Sequence, residues 1–330
     1  MKIGIIGVGR IGAFHAGVLS AHPGVEQVLV TDVDGSRAAE VAERCGARVV
    51  DGVERVLAAA DAVVITAPTS EHAELILRAV DAGLPAFCEK PIAIDLESTR
   101  AVVAAVERAG AVVQMGFQRR FDAGYRRARE LVLGGGLGTI YVVRMAGHDP
   151  VPPHESYIPG SGGIFRDLHI HDFDIARFVT GQEITEVYAD GGVVGFDMFA
   201  KYDDVDTAVA TLRFSGGAFG ILSGSRHDPL GYDIRMELFG SRDSVAVGLD
   251  ARTPLRSLED GVAQPVDPYS FFLDRFARAY REELNVFVEV AAGRKENPCP
   301  PADALEAMRV AVACDVSRRE HRPVRVEEVG

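Results

Sequence analysis

Along the first 118 residues, short apolar runs alternate with stretches in which apolar positions recur every three or four residues. The runs at 2–6, 27–31, 62–66, 85–88 and 111–115 have the length and composition of strands buried on both faces. The segments between them, at 11–20, 37–44, 71–82 and 96–109, carry helical spacing. Cys45-Gly46 is a stop signal for the second of these, while Ser70 is placed to cap the third and Gly83 to end it. Strand, helix and strand repeated in this way predict a doubly wound parallel sheet with helices on both faces.

The pattern changes after residue 119. A helix is predicted over 122–133, ended by Gly134-Gly135-Gly136, then a strand over 140–145 and a helix over 165–179. Strand-like runs follow at 187–190, 205–214, 219–225, 233–239 and 244–247, joined by glycine turns such as Ser215-Gly216-Gly217. No helical pattern separates them, so hairpins and an open, mostly antiparallel sheet are expected. Helical stretches at 269–292 and 302–319 and a last run at 324–326 close the chain. The expected organisation is α/β, with a nucleotide-binding domain over 1–118 and an α+β substrate and oligomerisation domain over 119–330. The last helix, about 302–319, is expected to pack back on the first domain. An open sheet leaves one face uncovered, and a face that is not polar throughout predicts a homo-oligomer.

Composition narrows the function. The chain has 330 residues, 47% hydrophobic and 25% charged, and carries a net charge of −13. Such an acidic protein is repelled by phosphate backbones and anionic lipid, which argues against nucleic-acid and membrane-surface partners. No apolar run approaches the roughly 18 residues of a membrane span. Gly7, Gly9 and Arg10 interrupt the apolar start before a signal-peptide core can form. Cys45, Cys88, Cys299 and Cys314 are scattered without CxxC spacing, which fits a reducing cytoplasm and gives no cysteine metal site.

Three segments at predicted strand ends carry the chemistry. Gly7-Val8-Gly9-Arg10-Ile11-Gly12 follows the first strand and opens the first helix, and Asp32 ends the second strand 20 residues after Gly12. Alone, the glycines describe any strand–helix turn and the aspartate any turn residue. Together, at the start of a βαβ unit, they are the Rossmann-type fingerprint. Gly7, Gly9, Arg10, Ile11 and Gly12 would hold the pyrophosphate and Asp32 the adenosine ribose, which favours NAD over NADP; Arg37 is near enough in sequence to serve a 2′-phosphate instead. Thr66, Ala67, Pro68, Thr69, Ser70 and His72 follow the fourth run, where doubly wound sheets place ligands. His72 reads equally as a first-turn helix residue. Phe87-Cys88-Glu89-Lys90-Pro91 closes the fifth; its charged pair at the edge of a buried sheet reads either as solvated loop charges or as Glu89 and Lys90 set beside the nicotinamide.

These segments, GVGRIG, Asp32, APTSEH at 67–72 and CEKP at 88–91, together resemble the Gfo/Idh/MocA family of nicotinamide-dependent sugar and polyol oxidoreductases. The likeness covers essentially the whole chain, with Glu-Lys-Pro its most specific motif. Residues 116–122, 162–167, 169–174 and 231–233 resemble the inositol 2-dehydrogenase branch. The resemblance implies a catalytic set of Lys90, Asp167 and His171. Asp167 and His171 stand four apart, on one face of a helix, where the carboxylate orients the imidazole; a purely structural Asp–His pair has the same spacing. Whether Lys90 or His171 is the primary base stays open. His169 and His171, two apart on a helix, point to opposite faces, so no metal is expected and His169 reads as a packing or hydrogen-bonding residue.

A polyhydroxylated ring requires many hydrogen-bonding groups. The resemblance assigns the substrate side to Lys90, Arg119, Asp149, Asp167, His171, Tyr232 and Tyr280. His154 and Tyr157 are further candidates, and Tyr280 also fits an apolar stripe with Phe272, Phe276, Leu284 and Phe287. Arg126, Arg127 and Arg129 read as a solvated helix face. The implied activity is NAD-dependent oxidation of a cyclic polyol, myo-inositol to 2-keto-myo-inositol, by a cytoplasmic homotetramer. The competing readings are an NAD(P)-dependent enzyme acting on scyllo-inositol, glucose or another sugar, and a non-catalytic NAD-binding sensor.

Overall fold

The computed structural model describes all 330 residues. They form two compact units, Met1–Gln118 with Arg278–Leu305, and Arg119–Ala277 with Glu306–Gly330.

The first unit is a six-stranded parallel sheet. Its strands are β1 (Lys2–Ile6), β2 (Gln27–Thr31), β3 (Arg48–Val49), β4 (Ala62–Ile65), β5 (Ala86–Glu89) and β6 (Val113–Gly116). They lie in the order β3-β2-β1-β4-β5-β6, so the chain reverses its direction of travel across the sheet between β1 and β4. The connecting helices are α1 (Arg10–Ser20), α2 (Gly35–Cys45), α3 (Val53–Ala59), α4 (Thr69–Asp81) and α5 (Leu96–Ala109). Ile3, Ile5, Val28, Val30, Val64 and Phe87 form the buried core on one side of the sheet, with Ala16 and Leu19 of α1.

Asp34 caps α2 and Asp95 caps α5 through their carboxylates. Ser70 does not cap α4 as expected. The helix begins at Thr69, two residues before the expected start at 71, because Pro68 stands at the N-cap with its φ already fixed at −57°. β3 and α3 have no counterpart in the sequence reading, being too short to carry a periodic signal.

The second unit is built on a seven-stranded sheet ordered β12-β11-β7-β10-β9-β8-β13. Its strands are β7 (Ile140–His148), β8 (Ile184–Gly192), β9 (Thr207–Phe214), β10 (Phe219–Ser225), β11 (Asp233–Gly240), β12 (Ser244–Val247) and β13 (Val324–Arg325). Every neighbouring pair is antiparallel except β7 with β10. The strict alternation of buried and exposed positions along β9 marks a sheet with one covered face. Tyr141, Tyr188, Val209, Phe219 and Ile221 are exposed on these strands.

The helices of this unit are α6 (Ala123–Leu133), α7 (Ile158–Ser161), α8 (Ile164–Asp167) and α9 (Ile170–Thr180). The single helix expected over 165–179 is therefore two. The His169 N–H bonds five residues back to the Ile164 carbonyl at 3.1 Å, and α9 starts afresh with the Asp172 and Phe173 N–H groups on the His169 carbonyl.

Two long helices serve both units along the chain. α10 (Phe272–Ala291) is interrupted at Phe276, where φ is −116° and ψ 15°. Its residues from Arg278 on belong to the first unit, where Leu284, Phe287 and Val288 join the core. α11 (Pro301–Glu320) has only its first residues there; from Glu306 it belongs to the second unit. The segment returning to the first unit is thus 278–305 rather than 302–319. No helix is long and apolar enough to cross a membrane.

Candidate active site

In the first unit the site is shaped by main chain. Gly7 turns the chain out of β1 with φ of +90°, and a Cβ there would fall 2.7 Å from the Ala67 nitrogen. A Cβ on Gly12 would lie 2.2 Å from the Gly7 carbonyl oxygen and 2.6 Å from Thr66 Oγ1. Gly9 is different, since a Cβ there would meet nothing within 4 Å. Gly7 and Gly12 allow the loop and helix to close, whereas Gly9 leaves an open approach to the start of α1. No side chain caps that helix and no acid stands in its first turn, as suits a helix N-terminus that takes a phosphate.

The loop is fastened on three sides. The Gly7 N–H donates to the Thr31 carbonyl at 2.9 Å, the Val8 N–H donates to Asp32 Oδ2 at 2.7 Å, and Thr66 Oγ1 donates to the Gly7 carbonyl. Asp32 Oδ1 accepts the Asp34 N–H at 2.9 Å. Asp32 is thus oriented at the end of β2 by the loop it would serve. Arg37 lies 3.4 Å from Asp32 and 3.3 Å from Asp34, so its charge is shared between two carboxylates. These residues fit a dinucleotide with free ribose hydroxyls.

The next two strand ends are tied together. His72 is buried, with Nδ1 2.7 Å from the Pro91 carbonyl oxygen and Nε2 2.8 Å from that of Ala67. Expected as a cofactor contact, it stands as a brace between the turns after β4 and β5. Thr66 likewise spends its hydroxyl on the phosphate loop. Glu89 Oε1 lies 2.7 Å from His15 Nε2, and a Cβ on Gly116 would come within 2.8 Å of Glu89 Oε2. Lys90 is half-buried and joined to Pro91 by a cis peptide. Tyr280 is buried with its ring against Phe14 and His15, at 6.1 and 6.0 Å between centroids. One turn further along α10, the Glu283 carboxyl is fully buried and neither oxygen has a hydrogen-bond partner. Burial first, and the charge of Glu89 second, hold it well above the usual carboxylate range.

In the second unit the site is shaped by charge. Asp167 ends α8 and His171 stands in the first turn of α9. Tyr157 donates its hydroxyl to Asp167 Oδ1 at 2.9 Å, and Arg226 Nη1 lies 2.9 Å from Asp167 Oδ2. The same nitrogen is 3.3 Å from Asp149 Oδ2. Parallel pairing of β7 and β10 sets His148 opposite Ser225, and the Asp149 N–H continues the ladder to the Ser225 carbonyl at 2.9 Å. Asp149 and Arg226, the next residue on each strand, therefore emerge side by side. The charge of Asp167, which also accepts its hydroxyl, pushes the Tyr157 phenol up. Burial opposes the charge on Arg226, but Asp167, Asp149 and Asp204 more than restore it.

The same unit holds a second, buried polar cluster. Asp172 accepts from Arg119 on one oxygen and lies 2.9 Å from His169 Nδ1 on the other. Arg119, expected to touch substrate, is 1% exposed and is hydrogen-bonded to the buried Tyr232. Asp172 takes one nitrogen of the guanidinium, while Nε and the second terminal nitrogen of Arg119 are buried without a hydrogen-bond partner. Arg120 pairs with Asp174, its Nε lying 2.9 and 3.1 Å from the two carboxylate oxygens. His169 is buried between Phe165 and Phe173, a packing residue as its spacing suggested. A Cβ on Gly224 would lie 2.1 Å from its ring.

Residues 1–117 match the oxidoreductase family with an NAD-binding Rossmann fold, and residues 125–246 match the GFO/IDH/MocA C-terminal domain. The myo-inositol 2-dehydrogenase of Thermotoga maritima is 36% identical over 333 residues, covering 100% of this chain and 99% of that protein. The chain belongs to the Gfo/Idh/MocA oxidoreductase family. Among solved structures, a myo-inositol dehydrogenase from Corynebacterium glutamicum superposes with a TM-score of 0.90 at 37% identity, covering 98% of each chain. A scyllo-inositol dehydrogenase from Lactobacillus casei, with bound NAD(H) and scyllo-inositol, gives 0.89 at 28% identity, covering 99% of each.

For this Gfo/Idh/MocA chain, NAD is the cofactor that the family fold takes and that the glycine loop and Asp32 fit. Sequence reasoning passed over Arg226 and His15, assigned no role to Glu283, and weighed Asp172 only as a metal ligand. Arg226 sits in an unremarkable SGSRHD segment, and only the pairing of β10 with β7 brings it to Asp149. Glu283 carried one signal, a carboxylate within the apolar stripe of α10.

Proposed function

We propose that this dehydrogenase oxidises one secondary hydroxyl of myo-inositol to the ketone, 2-keto-myo-inositol. Bound NAD accepts the hydride from the carbinol carbon, and the hydroxyl proton passes to a protein base. Lys90, Asp167 and His171 form the catalytic set. His171 takes the proton, Asp167 stabilises the resulting imidazolium, and the Lys90 ammonium stabilises the developing alkoxide. Asp149, Tyr232 and Tyr280 meet the other hydroxyls, with Arg119 supporting Tyr232. Ala67, Pro68, Thr69 and Glu89 line the cofactor side, while Thr66 and His72 hold its turns in place.

The observation that carries this reading is the state of Asp167. Tyr157 and Arg226 occupy its two oxygens. It is thereby fixed as an anion four residues ahead of His171, in a chain whose other half presents a nucleotide cradle. An anion held in this way orients and charges an imidazole without competing for its proton.

A screen of inositol isomers and monosaccharides for NADH and NADPH formation tests the reading. Myo-inositol with NAD is expected to give the highest kcat/KM; a higher value on scyllo-inositol or a hexose would replace the substrate. His171→Ala and Lys90→Met should each lower kcat by about 10²–10⁴-fold, and near-normal kcat in either would remove that residue from the set. NAD binding with no turnover on any polyol would leave a sensor. We place the protein in the cytoplasm as a homotetramer that covers the apolar open face of the second sheet, and the mass in sedimentation tests that assembly.

A further inference from the structure

Arg226 takes no direct part in the reaction as set out above, yet its guanidinium joins the two carboxylates that matter most to it. Its side chain is 4% exposed, against 12% for Asp167 and 21% for Asp149. The groups that face it come from every neighbouring element. Asp167 ends α8, Asp149 follows β7, and Asp204 stands in the loop before β9. The Tyr157 phenol shares Asp167 with it. Its own N–H is spent on the Asp206 carbonyl at 2.7 Å, while the Asp206 carboxylate is held by the N–H groups of Val194, Gly195 and Phe196.

We propose that Arg226 is a positioning residue that couples substrate binding at Asp149 to the charge of the Asp167–His171 pair. This rests on the dehydrogenase reading above. Two carboxylates that share one guanidinium nitrogen would each disfavour the other's charge if that cation were absent. Arg226 keeps both ionised, so Asp149 offers a ring hydroxyl an acceptor and Asp167 presents a full negative charge to His171. One guanidinium against Asp167, Asp149 and Asp204 leaves a net negative charge, the sign that stabilises an imidazolium. The shorter contact, at 2.9 Å, goes to Asp167, and the longer, at 3.3 Å, to the more exposed Asp149. Asp149 is the member of the pair with room for a substrate hydroxyl.

The test is the pH dependence of kcat/KM for myo-inositol at saturating NAD in the full-length enzyme. Arg226→Met adds net negative charge beside His171. The base then holds its proton to higher pH, and either carboxylate protonates sooner. Both effects move the acid limb upward, by roughly one pH unit, and KM rises at least tenfold. Arg226→Lys keeps the charge without the planar fork, so the acid limb returns while KM stays raised. Arg226→Met with Asp149→Asn removes one charge of each sign and should also restore the limb, which keeps the test decisive if the single Met variant does not fold. An acid limb and KM unchanged in Arg226→Met, or activity lost only in proportion to folded protein, would overturn the proposal. A wild-type enzyme that turns over no polyol would overturn the dehydrogenase reading itself.

Discussion

The two units hold their candidate residues in order by opposite means. In the first unit the ligand-facing surface is backbone, with Gly7 and Gly12 packed against carbonyl and amide atoms and Gly9 left open. A single carboxylate, Asp32, fixes the loop. In the second unit the surface is side chain, with Arg226, Asp149, Asp167 and Tyr157 held by one another and a second cluster formed by Arg119, Asp172 and His169. A cofactor common to many reactions needs only a backbone cradle and a ribose acceptor. A particular polyol requires a pattern of charges, which must be satisfied whether or not the ligand is there.

Glycine substitutions give the largest expected contrast within the first half. Gly12→Ala drives a methyl into the Gly7 carbonyl and Thr66, neither of which can retreat without opening β1 from β4. A sharp loss of soluble protein or a strongly lowered Tm is expected. Gly9→Ala meets open space and should fold with an unchanged Tm, yet lose NAD affinity by at least about tenfold, because the methyl intrudes where the pyrophosphate approaches. Fluorescence titration with NADH alongside a thermal melt separates the two. Normal NADH affinity in Gly9→Ala would break the assignment of this loop.

The second half should fail through charge. Asp174→Ala strands the buried Arg120 guanidinium and is expected to cost about 3–5 kcal/mol of unfolding free energy. Replacing both, Arg120→Met with Asp174→Leu, should recover much of that loss. Urea unfolding of the two variants checks it. A single variant as stable as the double would mean that this polar cluster does not set the stability of the second unit.

How far each half is legible in sequence follows from the same contrast. The backbone cradle was readable because its requirements are local. A positive φ at Gly7, close packing at Gly12 and an acid at Asp32 all fall within the first βαβ unit. His72 stands in the first turn of α4, one of its two expected places, but its brace was not readable because it depends on two carbonyls 24 residues apart, at Ala67 and Pro91. The break between α8 and α9 was hidden because His169 has its space from Gly147 and Gly224, on strands adjacent only in the folded sheet. Arg226 was invisible for the same reason, since the parallel β7–β10 pair is the exception in an otherwise antiparallel sheet. Asp167 and His171 were singled out only through the resemblance, and the contacts of Tyr157 and Arg226 with Asp167 carried no sequence signal at all.

Glu283 breaks the contrast, because it is a charge-bearing group buried without partners in the half that otherwise relies on backbone and apolar packing. Its folded pKa stands well above the ordinary 4.5, from burial and then from Glu89. A carboxyl raised in this way stays protonated in the folded chain while the unfolded chain releases its proton. Folding is therefore not penalised below the ordinary value, and stability is lost as pH climbs toward the folded value. Glu283→Gln removes that titration. The amide is also buried, so a constant offset in Tm is allowed; the informative quantity is the slope. The Tm of the variant minus that of the wild type should grow steadily more positive from roughly pH 5 to pH 9. A difference that stays flat across that range would mean that Glu283 is ionised and paired in the folded protein, and that the first half too is built on charge.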